Sequence, residues 1–253
     1  MLDKSKVTGS VSNKNICEQE IARFNTLAQE WWDPNGKYKT ALAFNAARTE
    51  YMIARLANCH ERDPSAPDCL EGLRILDVGC GGGLISEALA KRAAVVTGVD
   101  ASAMSIEVAR RHAQQSGLPV DYRHCLAGQL LAEDERFDVV INAEVVEHVP
   151  DQAALINDCA RLVKPSGTLV LATLNRTLKS WVIAILGAEY VMRYLPVGTH
   201  DWKMFVKPEE LAGWVAPEHF KLVNETGMKL NPFTGVWRLS DSLAVNYIQV
   251  YRR

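Results

Sequence analysis

Ile75-Leu76-Asp77-Val78-Gly79-Cys80-Gly81-Gly82-Gly83 decides the fold of this chain. A short apolar strand, Arg74–Val78, runs into a cluster of glycines, and a helical pattern over Leu84–Arg92 follows. Glycine carries no side chain, so a ligand can approach the backbone there. About 20 residues further on, the spacing of a doubly wound crevice, a second apolar strand over Val95–Val99 ends at Asp100. That places a carboxylate across from the glycines, where it can accept hydrogen bonds from ribose hydroxyls. Together these features predict a nucleoside-containing ligand. The dinucleotide fingerprint needs glycine at its first, third and sixth positions. Counted from Gly79, the third is Gly81 but the sixth is Leu84, which argues against a nicotinamide or flavin. Asp77, just ahead of the glycines, suits the cationic end of a ligand better than a pyrophosphate.

Outward from this run, strands and helices alternate. Ser102 caps a helix that reaches Ser116 and stops at Gly117. Val120–His124 and Phe137–Asn142 read as strands, Asp151–Val163 as a helix, and Thr168–Leu174 as a further strand after the Lys164-Pro165-Ser166-Gly167 turn. This order implies a parallel sheet covered by helices on both faces, a doubly wound α/β fold. Lys221–Glu225 and Ala244–Val250 read as a terminal antiparallel pair. Upstream, Ile21, Phe24, Leu27, Ala28 and Trp31 recur at helical spacing, Asp33-Pro34-Asn35-Gly36 is a turn, and a second helical pattern covers Ala41–Ala57. Trp31 and Trp32 read as core anchors of this part. Residues 1–72 are thus an N-terminal helical cap with a linker over Glu61–Gly72, and residues 73–253 the α/β domain.

Composition bounds the function. The 253 residues are 48% apolar and 23% charged, the mix of a folded globular protein. A net charge of −2 gives no reason to expect nucleic-acid binding. The six cysteines include no C-x-x-C pair, so a disulfide framework or a cysteine zinc site is poorly supported. The first 20 residues have neither a signal-peptide nor a transit-peptide pattern, and no apolar run reaches the ~20 residues that span a bilayer. A cytoplasmic protein is expected.

Glu144, Glu147 and His148 follow the Phe137–Asn142 strand at i, i+3 and i+4. On a helical turn these positions share one face. They fall at the carboxyl end of a strand, where open α/β sheets bind ligands. Two carboxylates and an imidazole could hold Mg²⁺, Mn²⁺ or Zn²⁺, the carboxylates favouring the harder ions. His148 as a general base is the rival reading. Plainer roles also remain for the acids: Glu144 beside the cofactor, and Glu147 as a helix cap.

The D-V-G-C-G-G-G run with its strand-end acid resembles the class I S-adenosylmethionine-dependent methyltransferases over about Leu73–Leu174. That resemblance implies a Rossmann-like seven-stranded sheet of order 3-2-1-4-5-7-6 with strand 7 antiparallel. It also implies a cofactor lying over Gly79–Gly83 with its ribose on Asp100. Further segments are similar to the ubiquinone biosynthesis O-methyltransferases over about residues 18–250. These are Phe24-Asn25, Trp31-Trp32-Asp33-Pro34, Glu144 to Asp151, Thr173 to Trp181, Gly187-Ala188-Glu189-Tyr190, Gly198-Thr199-His200-Asp201 and Asn231-Pro232. This resemblance implies cofactor contacts at Arg48, Gly79, Asp100 and Ala143, the last a position that is often methionine in relatives. From the residues alone Arg48 also reads as a solvated helix arginine. The resemblance further implies a divalent cation at Glu144, Glu147 and His148. The implied acceptors are two polyprenylated catechol-type compounds, 2-polyprenyl-6-hydroxyphenol and 3-demethylubiquinol. A free phenol has a pKa of ~10, so a base or a chelated cation must help remove its proton. Methylation of another phenol or of carbon, or a non-catalytic assembly role at the membrane, are the alternatives.

Residues 175–207 are long for a strand-to-helix connection, where ~2–6 residues is usual. They carry the apolar run Trp181–Leu186, with five basic and two acidic side chains. A helix packed into the core is one reading. A lid that meets anionic lipid and collects the insoluble substrate is the other, and the resemblance implies it. Arg176, Trp181, Tyr190 and His200 are candidate substrate contacts. Peripheral association with the inner membrane, and a ubiquinone-biosynthesis complex as partner, follow as expectations.

Overall fold

The computed structural model describes residues 17–19, 21–22, 32–33, 36, 39–183, 201–231 and 234–253. The helix expected over 18–32 therefore lies mostly outside the described residues, as do Trp31, Tyr190, His200 and the middle of the 175–207 connection.

The first fully described element is α1, Lys39–Cys59. Asn45, Arg48, Thr49, Met52, Ile53, Leu56 and Ala57 are buried along it, the i, i+3, i+4 stripe of a helix lying on a sheet. Five parallel strands follow: β1 Arg74–Val78, β2 Val95–Asp100, β3 Val120–His124, β4 Phe137–Ala143 and β5 Val163–Leu174. Between them come α2 Leu84–Ala90, α3 Ala103–Ser116, α4 Ala127–Ala132 and α5 Gln152–Leu162. Local signals set their ends. The Ser102 hydroxyl accepts from the Ser105 N–H at 3.0 Å, and Asp151 caps α5 through the Ala154 N–H at 3.0 Å. Six-residue α4 was not foreseen, being too short to show a helical period. Two short elements follow β5, α6 Leu178–Ser180 and α7 Pro208–Val215.

The sheet ends in β6 Lys221–Leu230, β7 Trp237–Ser240 and β8 Asn246–Arg252. Its order is β3-β2-β1-β4-β5-β8-β6-β7, with β8 antiparallel to both β5 and β6. The expected 3-2-1-4-5-7-6 arrangement is thus present, with β8 in the seventh place, but the sheet has eight strands rather than seven. The extra strand arises because β6 runs on past Glu225 and turns back at Asn231–Gly235. There the Asn231 N–H donates to the Val236 carbonyl at 2.9 Å, and β7 pairs along the outer edge.

Alternate residues of each strand face opposite layers. Ile75, Val139, Ile141, Val170 and Val250 pack against Met52 and Leu56 of α1 and Leu89 of α2. Leu76, Val140, Leu169 and Leu171 pack against Ile156, Cys159 and Leu162 of α5 and Leu211 and Val215 of α7. Both faces are covered, which is why β1 and β4 read as continuous apolar runs. Cys69 and Leu70, between α1 and β1, are buried in the α1-side layer. Among the described residues no helix is long and apolar enough to cross a membrane.

Candidate active site

The crevice lies at the carboxyl ends of β1, β2 and β4. Gly79 leaves β1 with φ 76° and donates its N–H to the Val99 carbonyl at 2.8 Å, binding the loop to β2. A Cβ there would stand 2.2 Å from Cγ2 of Val145, so the loops after β1 and β4 touch only because this residue is glycine. Gly81 is different. Its φ is also left-handed, at 53°, but a Cβ on it would meet nothing within 4 Å. It borders open space. Its N–H donates to Oδ2 of Asp100 at 2.9 Å, and Oδ1 of Asp100 accepts from the Ser102 N–H at 2.7 Å. The strand-end acid therefore faces the glycine loop, as the spacing predicted. Burial raises its pKa, and the two backbone donors oppose that.

Asp77 is 2% exposed and accepts from the Ser86 hydroxyl at 2.6 Å. Burial pushes its carboxyl up to about 6, with Ser86 and Arg48 pulling the other way. Arg48 is not a solvated helix residue. It is buried in mid-α1, and its Nε donates to Oδ1 of Asn45 at 2.9 Å. Its Nη1 lies 3.2 Å from Oε1 of Glu144, an ion pair without hydrogen-bond geometry. Burial lowers its pKa, while the charges of Glu144, Glu147 and Asp77 raise it. Glu144 is thus the ion-pair partner of Arg48, and the charges of Glu147 and Asp77 add to its field. Ala143, the buried last residue of β4, lies between these groups along the chain and pairs with Ala172 of β5.

The expected single helical face for Glu144, Glu147 and His148 does not form. Glu144 sits outside the turn that follows, with φ 58°, and its N–H donates to the Ala172 carbonyl at 2.9 Å. A left-handed conformation at a residue with a Cβ costs ~1–2 kcal/mol, and such strain collects at functional sites. Only Val146–His148 form a short 3₁₀ turn. Glu147 is 4% exposed and accepts from the Thr173 hydroxyl at 2.8 Å through Oε2, while Oε1 has no partner. Burial and the neighbouring Glu144 push its carboxyl well above the usual range, against the Thr173 hydrogen bond. His148 is half-buried at the end of the turn. Among the described residues no group of three His, Cys, Asp or Glu side chains is placed to hold a metal ion. The structure brings Glu144, Glu147, Asp77 and Arg48 together and leaves His148 out of a metal-type cluster.

Several residues of the site were not read from sequence. Thr173 holds Glu147 across a separation of 26 residues. Asn142 is 1% exposed and its Oδ1 has no partner; a polar residue ending the apolar FDVVIN strand was its available signal. Trp32, expected in the core, is half-buried and donates Nε1–H to the Gly82 carbonyl at 2.8 Å. Of the candidate substrate contacts, Arg176 pairs with Glu210 of α7, and Trp181 is 37% exposed.

Comparison with known proteins gives the family and the fold. The family described as a methyltransferase domain matches residues 76–171. A ubiquinone biosynthesis O-methyltransferase of Cereibacter sphaeroides is 49% identical over 238 residues, which are 94% of this chain and 96% of that protein. One from Bartonella bacilliformis is 42% identical over 253 residues, covering 100% of this chain and 99% of its own. Among solved structures, the magnesium protoporphyrin IX methyltransferase of Synechocystis PCC 6803, with bound S-adenosylhomocysteine, superposes with a TM-score of 0.67. It is 20% identical, covering 93% of this chain and 98% of that one, and it supports the fold.

Proposed function

Because the chain belongs to the ubiquinone biosynthesis O-methyltransferases, S-adenosylmethionine-dependent enzymes, we propose that its acceptor is a ring hydroxyl of a polyprenylated catechol-type compound. The two acceptors in this reading are 2-polyprenyl-6-hydroxyphenol and 3-demethylubiquinol. The Glu144–Glu147–Arg48 cluster, with Arg48 and Glu147 buried and Glu144 half-buried beside an open glycine loop, is the observation that carries it.

The crevice fits the cofactor. Gly81 borders free space, Asp100 offers carboxylate oxygens toward the glycine loop, and buried Asp77 offers a charge to a cationic ligand end. Gly79 lets the loop after β1 approach Val145 in the loop after β4. Arg48 keeps the carboxylates compensated. Bound S-adenosylmethionine supplies a methyl group on sulfonium sulfur, an electrophile that needs only a nucleophilic oxygen. The acceptor hydroxyl must therefore give up its proton as the carbon–oxygen bond forms. Glu147 is suited to take it. Its raised proton affinity brings a carboxylate nearer the range of a general base, and Oε1 is unpartnered.

The same unpartnered oxygen favours a second reading. A divalent cation, Mg²⁺ before Mn²⁺ or Zn²⁺, would be held by the carboxylates of Glu144 and Glu147. It would keep both carboxylates ionised and lower the pKa of a chelated catechol. Turnover of a short-chain demethylubiquinol analogue, with Mg²⁺ and with EDTA, separates the readings. Activity abolished by EDTA and restored by Mg²⁺ supports the cation. Activity indifferent to EDTA leaves the proton to Glu147 or His148, and Glu147→Gln against His148→Ala then distinguishes them.

The polyprenyl tail of the acceptor partitions into lipid, so the reading includes peripheral contact with an anionic inner membrane from the cytoplasmic side. Leu178, Trp181, Val182, Ile183 and Trp202 are exposed apolar residues. The Trp202 Nε1–H donates to the Thr177 carbonyl at 2.9 Å, which joins the two segments that carry them. Lys179 and Lys203 lie beside them in sequence. An apolar patch with basic neighbours is what interfacial binding requires. Association with other proteins of ubiquinone biosynthesis belongs to the same reading.

A further inference from the structure

The glycine loop is fastened by a side chain that the reaction itself does not require, Trp32. Glycine-rich backbone is conformationally permissive, so a ligand that needs it in one shape must bear the cost of fixing it unless the protein has done so already. On the crevice side, Asp100 holds the Gly81 N–H at 2.9 Å. At the next residue, the Trp32 indole N–H donates to the Gly82 carbonyl at 2.8 Å, although the two residues are 50 positions apart. The Trp32 ring is itself held. It stacks on the His112 imidazole with ring centroids 3.4 Å apart and planes 5° from parallel. His112 Nδ1 lies 2.7 Å from Oε1 of Glu87, which is fully buried. Glu87 stands in the first turn of α2, and its backbone N–H donates to the Gly83 carbonyl at 2.9 Å. The chain of contacts closes on itself: Gly82, Trp32, His112, Glu87 and back to Gly83.

We propose that Trp32 is a positioning residue for cofactor binding, holding the Gly82 carbonyl through a ring supported by His112 and Glu87 so that the glycine loop is set before the cofactor arrives. The inference rests on the reading that the cofactor lies over Gly79–Gly83. The role belongs to the indole N–H as well as to the ring, which makes it separable from packing. Trp32→Phe keeps an aromatic face for His112 and removes the donor. Trp32→Ala removes both.

Three quantities are measured on the full chain: the Kd for S-adenosylhomocysteine, the KM for S-adenosylmethionine against kcat, and the Tm without ligand. One net hydrogen bond corresponds to about a threefold to tenfold change in an equilibrium constant. Trp32→Phe is expected to raise Kd and the cofactor KM by about that factor. Its kcat at saturating cofactor and its ligand-free Tm stay near those of the wild type. Trp32→Ala is expected to raise Kd further. If Trp32→Phe binds S-adenosylhomocysteine as the wild type does, the inference is overturned, and a lowered ligand-free Tm with unchanged Kd would overturn it equally by showing a purely structural role. A wild-type chain that fails to bind S-adenosylhomocysteine would instead overturn the cofactor reading beneath it.

Discussion

Replacing Gly81 by alanine separates ligand contact from backbone strain. Gly81 has φ 53°, and a Cβ on it meets nothing within 4 Å, so the substitution adds a methyl group to open space. Gly117, the C-cap of α3, offers a matched control: its φ is 66° and it too has nothing within 4 Å. Each alanine places a side chain in a left-handed conformation, at about 1–2 kcal/mol. For a chain of this size that lowers Tm by about 2–8 °C. S-adenosylhomocysteine at a hundred times its Kd stabilises the wild type by about 2.7 kcal/mol, or roughly 5–10 °C at the same conversion. Gly117→Ala should start lower and keep that increment in full. Gly81→Ala should start equally low and lose most of it, because its methyl group occupies the space assigned to the cofactor. Thermal unfolding with and without ligand reads all four quantities. Equal increments in the two variants would refute the placement of the cofactor over the glycine loop.

Three other outcomes follow from the site and its surroundings. Asp77 has a folded pKa of about 6 against 3.8 for the free group. Its contribution to stability is therefore whole below pH 3.8 and is lost as pH rises through 6, on the order of 2–3 kcal/mol. Asp77→Asn, which can still accept from Ser86, should remove that decline in ligand-free unfolding measured across this window. Thr173→Val removes the hydroxyl that donates to Oε2 of buried Glu147, and should lower stability by about 1–3 kcal/mol. Losing a donor that favours the ionised form should also move the acid limb of the pH–rate profile upward; an unmoved limb would detach Glu147 from the proton transfer. Leu178→Asp with Ile183→Asp should reduce flotation on phosphatidylglycerol vesicles several-fold while S-adenosylhomocysteine binding persists, whereas unchanged flotation would put the lipid contact elsewhere.

What the sequence made legible was local. The Ser102 cap depends on a neighbour three residues away, and the strand-end Asp100 meets the glycine run because one β–α unit separates them, so each was legible from spacing. The Glu144–Glu147 geometry was not legible, because it turns on one left-handed residue that glycine would ordinarily occupy. A helical period drawn through Glu144 gives the wrong face from its first position. Thr173 and Trp32 were hidden for another reason: their partners lie 26 and 50 residues away, and only the register of β4 against β5 and the path of the chain before α1 bring them together. Strand β7, at four residues, is too short to show alternation. Arg48 shows the opposite error. On its own it looked like a surface residue of a helix, yet it lies on the buried stripe with Asn45, Thr49 and Met52.

The most direct test is to incubate the purified chain with S-adenosylmethionine and a short-chain demethylubiquinol, and to identify the product by mass spectrometry. The account predicts a ring methyl ether, formed together with S-adenosylhomocysteine, and strongly reduced in Glu147→Gln while the Kd for S-adenosylhomocysteine is held. A chain that binds S-adenosylhomocysteine yet forms no methyl ether, even with liposomes and a longer prenyl chain, would contradict the acceptor and the role given to the carboxylates.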